Sequence, residues 1–408
     1  MRIDDLRRSA SASSAERALA DGEGILRLAP TWVPRSFCIP GRRIRLHPDD
    51  YFALGGERGG IDERWLASAI RADNGPLTGA DEGLSFVVAP DGEKLPLDEV
   101  VGHLGAALIG ERLWSGHGAW PVYSKFFDNQ GRLPFHIHHR HEHAALVDRM
   151  AKPEAYYFSP QMNNHLGDDP FTYFGLIPGT TKDEFARRIA AFGHAGDNRI
   201  TELSQAYRLE LGTGWDVPAG IVHAPGSLCT YEPQCASDVF AMCESWTSGR
   251  TLPDELLWKD VPAEHRGDVG YIVSLLDWEA NVDPGFAQSH FMRPIPAGEP
   301  ADGYEERWIV YRSPAFSAKE LTVAPGATVL VADAAAYGCI AVQGHGTIAG
   351  RPLETRTLIR FGELTCDEYF VSEQAARAGV RISNATAGEP LVLLKHFGPG
   401  NPDMPHIG

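Results

Sequence analysis

The sequence predicts a mainly β protein with helical insertions, a jelly-roll β-barrel or sandwich made of two β-domains beside a helical region. Three observations carry this. Glycine (43) and proline (29) are frequent enough to demand many turns, which suits short strands better than a helical bundle. Short apolar runs recur evenly through residues 304–395, most of them separated by glycine-containing turns. A His-x-His pair at His136 and His138 is followed by a Pro-x-Gly turn that ends in His223, a pattern that places histidines on neighbouring strands.

The chain has 408 residues, too many for one compact core. The expected organisation is an N-terminal helical and irregular region, 1–115, contributing strands to a first β-domain at 116–280. A linker at 281–303 and a second, metal-free β-domain with an extended tail at 304–408 follow. Helices are expected over 1–22, 62–72 (with Asp62 as cap), 97–113 and 183–192. Strands are expected at 156–158, 171–177, 207–211 and 229–233. The second domain is expected to hold strands at 306–311, 321–323, 328–331, 338–342, 347–348, 358–361 and 390–395.

Composition narrows the function. The formal net charge of −17 argues against a nucleic-acid partner, which would need a basic face. No run of about 18 apolar residues exists to span a membrane. The six cysteines form no CxxC pair, and the N-terminus lacks the apolar segment of a secretory signal, so a cytoplasmic protein is expected.

The strongest local signal is Phe135-His136-Ile137-His138-His139-Arg140-His141-Glu142-His143. Residues two apart on a strand share a face, so His136 and His138 offer two imidazoles to one metal. A solvated histidine-rich loop is the plainer alternative. The second signal is Gly212-x5-Pro218-x-Gly220-x2-His223, the spacing of the second cupin signature. There Pro218 and Gly220 reverse the chain, and His223 opens the next strand. A carboxylate is needed to complete the shell, and Glu142 and Glu154 are both candidates. A mixed histidine and carboxylate set suits one divalent ion, Zn first, with Mn, Fe, Ni or Co as alternatives.

Taken together, the chain resembles the class I mannose-6-phosphate isomerases of the cupin superfamily along most of its length. Glu63-Arg-Trp65-Leu-Ala-Ser68 is similar to that family's E-x-W-x-x-S, and Lys125-Phe-Phe-Asp128 to its K-F-L-D. Leu133-Pro-Phe-His136-Ile-His138 aligns with L-S-I-Q-V-H, and Lys152-Pro-Glu154-Ala-Tyr-Tyr157 with K-P-E-M-W-Y. Val217-Pro-Ala-Gly-Ile-Val-His223-Ala aligns with V-P-A-G-x-x-H-A, and Tyr231-Glu232-Pro-Gln234 with I-E-x-Q. The resemblance implies His136, His138, Glu154 and His223 as metal ligands, which decides for Glu154 over Glu142. It also places Lys152 and Glu232 beside the metal.

Three departures stand out. The family's first ligand is Gln, where this chain has His136. Met242 stands where the family has an arginine, and Pro134 where it has a serine near the substrate phosphate. An apolar Met does not replace a bidentate guanidinium. The expectation is therefore a carbohydrate isomerase, working through a metal-stabilised enediolate, on a small sugar that is unphosphorylated or otherwise altered from a sugar phosphate. Glu232 and Lys152 are the candidate catalytic pair, and Arg140, His141, His143 and Gln234 the candidate substrate contacts. The rival readings are a dioxygenase with a three-His, one-Glu iron or manganese site, and a non-catalytic sugar-binding protein. A monomer or homodimer is expected.

Overall fold

The computed structural model describes residues 3–194, 196–299 and 301–405. Strands predominate and helices are inserted between them, in the cupin-like sandwich arrangement. The sheets stay open, and among the described residues none closes into a barrel. Among them, too, no helix is long and apolar enough to cross a membrane.

Two sheets enclose the candidate site. One has seven strands, in the order Phe291–Met292, Gly214–Val217, Glu154–Tyr157, Thr230–Cys235, Val122–Phe127, Ile61–Leu66, Thr31–Pro34. Facing it is a five-stranded sheet, ordered Gln205–Arg208, Phe171–Phe174, Val222–Ala224, His136–Ile137, Ala241–Met242. A nine-stranded and a four-stranded sheet build the second sandwich.

Alternation along the seven-stranded sheet explains its two faces. Phe126, Ala155, Tyr157 and Tyr231 join one core with Trp308, Tyr337, Leu394 and Phe397 of the nine-stranded sheet. Their neighbours Lys125, Glu154 and Glu232 therefore face the other way, toward the histidines. Polar contacts lock the two sandwiches together: Arg64 grips Asp367 with two bonds of 2.8 Å, and the Ser124 hydroxyl meets Nδ1 of His396 at 2.8 Å.

Several local expectations change. Residues 61–66 form a strand, not the start of a helix, because Ile61–Leu66 pairs on both sides, with Thr31–Pro34 and with Val122–Phe127. The cap-like Asp62 is overridden by that two-sided pairing. The helical stretch after residue 97 breaks at Gly105 and Gly110, both at positive φ. The 281–303 stretch holds the helix Phe286–His290 and the strands Phe291–Met292 and Ile295–Pro296. Residues 358–361 form no strand: Ile359 makes one isolated bridge to Leu46, and Leu358 and Phe361 are exposed. His396 and Phe397, expected in a tail, lie buried in the strand Leu391–Phe397, while His406 falls outside the described residues. The strand Ile25–Ala29 joins the nine-stranded sheet through Glu368–Val371, whereas Thr31–Pro34 joins the seven-stranded sheet, so the N-terminal region serves both sandwiches.

Candidate metal centre

His136, His138 and His223 come together, each buried, with ligand nitrogens within 4.8 Å of one another. Strand register accounts for this. His223 pairs directly with His136, and His136 pairs on its other side with Met242. His138 follows one residue beyond the strand, on the same face as His136. Each ring is oriented by its own carbonyl: Nδ1–H donates to Pro134 O (2.7 Å), Val239 O (2.7 Å) and Ile221 O (2.8 Å), respectively. That fixes the tautomer and leaves the Nε2 lone pairs facing inward.

Glu154 approaches from the opposite sheet. Its two oxygens lie 2.9 Å from His138 Nε2 and 3.1 Å from His223 Nε2, and the Tyr156 hydroxyl donates to the second of them. His223 Nε2 is buried and makes no hydrogen bond. A buried acceptor without a donor, beside two more inward-facing imidazoles and a carboxylate, is a donor set that fits a divalent cation. Glu142 is mostly exposed, lies in the helix His141–Ala144 and pairs with Arg140 at 3.0 Å.

The turn before His223 depends on glycine. Gly220 has φ +89°, and a Cβ there would stand 2.7 Å from the Arg140 side chain. Asn281, fully buried, ties the turn down. Its amide accepts from Val222 N–H (2.9 Å) and donates to the carbonyls of Gly220 (2.7 Å) and Asp277 (2.6 Å).

From Glu154 a ladder of buried, alternating charges crosses the seven-stranded sheet. Lys152 Nζ lies 2.8 Å from Glu154, 2.9 Å from His138 Nε2 and 3.6 Å from Glu232. Lys125 bridges Glu232 (3.5 Å) and Glu63 (3.0 Å). Arg35 then joins Glu63 (3.1 Å) to Asp238, which it grips with two bonds of 3.0 and 3.2 Å.

Burial and these neighbours set the charge states. Burial, with His223 and His138 nearby, holds His136 well below the ordinary imidazole range, and burial with Lys152 brings His138 down to about 3. Burial opposes ionisation of Glu154, yet Lys152 and His138 outweigh it and hold the carboxyl well below its ordinary value. Glu232 goes the other way: burial and the Glu154 charge push it up to about 8 against the pull of the two lysines.

A narrow cavity of about 40 Å³ opens beside the triad, and its polar lining is His136, His138, Lys152, Lys125, Glu63, Arg35 and Asp238. Apolar side chains, Met242 among them, complete the lining. Glu232 lies behind the two lysines and does not border the cavity. Gln234 is fully buried opposite Glu154 and is bonded to Ser237 O at 3.4 Å. Arg140, His141 and His143 are not brought to the cavity. Arg140 reaches the Ser274 carbonyl, His143 meets the Ser274 hydroxyl, and all three sit at the helix His141–Ala144.

Arg35, Glu63, Lys125, Asp238 and Asn281 were not among the expected site residues. Glu63 and Lys125 stood inside recognisable motifs, but Arg35 and Asn281 lie in stretches that read as irregular or linker, where nothing local marks them.

No protein-family model matches the chain, and no curated protein does. Solved structures do. The mannose 6-phosphate isomerase of Bacillus subtilis superimposes with a TM-score of 0.58 at 16% identity, covering 91% of this chain and 99% of that one. A point mutant of phosphomannose isomerase from Salmonella typhimurium gives 0.64 at 11% identity, covering 92% and 100%. A zinc-bound holo mannose 6-phosphate isomerase gives 0.62 at 11% identity over the same shares. At such identities the likeness is one of fold, and the fold of this chain is that of the mannose-6-phosphate isomerases.

Proposed function

We propose that this protein is a metal-dependent carbohydrate isomerase that interconverts an aldose and a ketose without a phosphate on the sugar. The carrying observation is the convergence of His136, His138 and His223 with Glu154, on a fold shared with mannose-6-phosphate isomerases. A divalent cation held there supplies Lewis-acid polarisation of the oxygens on sugar carbons 1 and 2. Lys152 borders the cavity and is placed to hold or move the proton passed between those carbons. Glu232, 3.6 Å behind it, keeps the ammonium aimed. Support for an uncharged sugar is that every cation bordering the cavity is already paired: Arg35 with Asp238 and Glu63, Lys125 with Glu63 and Glu232, and Lys152 with Glu154.

The test is proton exchange at sugar C2 in heavy water, followed by NMR, with zinc-replete and chelated protein. Metal-dependent exchange on a free sugar is expected. Exchange confined to a sugar phosphate overturns the unphosphorylated reading. Absence of exchange on any sugar, with stoichiometric metal present, overturns the isomerase reading.

One observation favours a second reading. The cavity is small, and three histidines with one glutamate also suit an iron or manganese oxygenase. Oxygen consumption by the iron-loaded protein separates the two.

A further inference from the structure

The apolar part of the cavity lining differs in kind from the charged ladder. It consists of Phe37, Leu133, Pro134, Phe240 and Met242, while the Asp238 carboxylate, which borders the same cavity, is taken up by Arg35 at 3.0 Å. Met242 pairs directly across from His136, so this apolar wall begins one strand away from the metal triad. Phe37 meets Phe240 edge to face, ring centroids 6.3 Å apart. None of these five side chains offers a hydrogen-bond donor or acceptor beyond a thioether.

The nearest outside cation gives no help. Lys259 lies 4.6 Å from the centroid of the Phe240 ring, but its ammonium is paired with Asp73 (3.2 Å) and Asp260 (3.1 Å). A substrate hydroxyl pressed against this wall loses its water and gains no partner, whereas a methyl group gains contact. Apolar walls with a few convergent polar groups are the usual way a pocket sets ligand orientation. Here the polar groups gather at the triad and the ladder, so the carbonyl end of a sugar belongs there and the other end belongs at the wall.

We infer that the sugar taken by this site carries a hydrocarbon terminus, as in a 6-deoxy sugar, seated against Phe37, Phe240 and Met242. The inference rests on the isomerase reading for the direction in which the sugar lies. It goes beyond that reading by naming the group that selects the substrate.

The experiment uses the full-length, zinc-loaded protein and three probes of one configuration: mannose, 6-deoxymannose and mannose 6-phosphate. Binding is measured calorimetrically, and C2 proton exchange is followed in parallel. The 6-deoxy sugar is expected to bind about fivefold or more tightly than mannose, the lower end of what one buried hydroxyl without a partner costs. Phe37→Ser and Met242→Gln are expected to bring the ratio near one with metal stoichiometry unchanged; Phe37 is only half-buried, so its variant is the safer one for folding. Equal or tighter binding of mannose, tighter binding of the phosphate, or no binding of any probe overturns the inference. Exchange on mannose without a deoxy preference overturns it while leaving the isomerase reading standing. A deoxy preference in binding with no exchange on any sugar supports the inference and sinks the isomerase reading.

Discussion

Asn281→Ala tests whether the turn that presents His223 is held by a side chain from a remote segment. Asn281 makes three hydrogen bonds, two of them to Gly220 and Val222, and its side chain is fully buried. Gly220 O keeps a second partner in Asp277 N–H, but Val222 N–H loses its side-chain acceptor. At about 1 kcal/mol per bond lost, the variant should be less stable by about 2–3 kcal/mol. His223 is the next residue, so zinc affinity should fall by about tenfold or more, the size seen when the groups that orient a ligand are removed. Asn281→Asp keeps the acceptor for Val222 but sets a buried carboxylate oxygen against the carbonyls of Gly220 and Asp277, and should be at least as destabilising as the alanine variant. Urea unfolding of metal-free protein and zinc competition against a chelating dye measure the two effects. Stability within about 0.5 kcal/mol of wild type, together with unchanged zinc affinity, would refute the reasoning. Pro218 and Gly220 alone would then be sufficient to place His223.

Glu154→Gln should weaken zinc binding by about 100-fold or more, whereas the exposed Glu142→Gln should leave it unchanged, as read by the same dye competition. Arg64→Met leaves Asp367 and Glu368 buried without their cation between the two sandwiches, and should cost about 3–5 kcal/mol in urea unfolding. Asp216 carries a pH signature. Burial pushes its carboxyl up to about 7, with Arg312 offsetting only part of that. A raised carboxyl favours the protonated folded state, so its penalty is absent below the ordinary value of about 3.9, grows with pH and is complete above the raised one. This group's contribution should lower the melting temperature as pH rises from about 4 to about 7 and level off above that, and Asp216→Asn should remove it. An identical pH profile in the variant would show that Asp216 is not its source.

Much of the architecture was legible because strands announce themselves locally. Strands expected at 156–158 and 229–233 fall on the observed Glu154–Tyr157 and Thr230–Cys235 to within two residues, and His-x-His with Pro-x-Gly-x2-His needs only the two-residue strand period to predict convergence. What was not legible depends on partners distant in sequence. Ile61–Leu66 begins with a helix-like cap and becomes a strand only because strands on both sides pair with it. Ile25–Ala29 finds its partner near the other end of the chain. Arg35 follows a short strand in a proline-rich stretch, and nothing near it in sequence says that Glu63 and Asp238 will receive its guanidinium. The histidine-rich run misled in the opposite way: after His138 the chain turns into the helix His141–Ala144, and the later histidines rotate away from the cavity.

The two sheets contribute different things to the site, and the difference explains where a cation belongs. From the seven-stranded side and its flanks come four buried carboxylates, Glu63, Glu154, Glu232 and Asp238, against three buried cations, Arg35, Lys125 and Lys152. Buried charge of this kind persists only where each member is paired, because removing one partner leaves an uncompensated ion in a medium that solvates it poorly. Lys152 faces Glu154 and Glu232 together, and Lys125 faces Glu232 and Glu63, so each lysine is shared between two carboxyl groups, and Glu232, pushed up to about 8, keeps its proton at neutral pH. Glu154 is the carboxylate at the histidine end of the ladder, held ionised and aimed at two Nε2 atoms. The five-stranded side adds neutral imidazoles and an apolar wall. A divalent ion therefore belongs at Glu154, the one ionised carboxylate of the ladder that faces the neutral imidazoles directly.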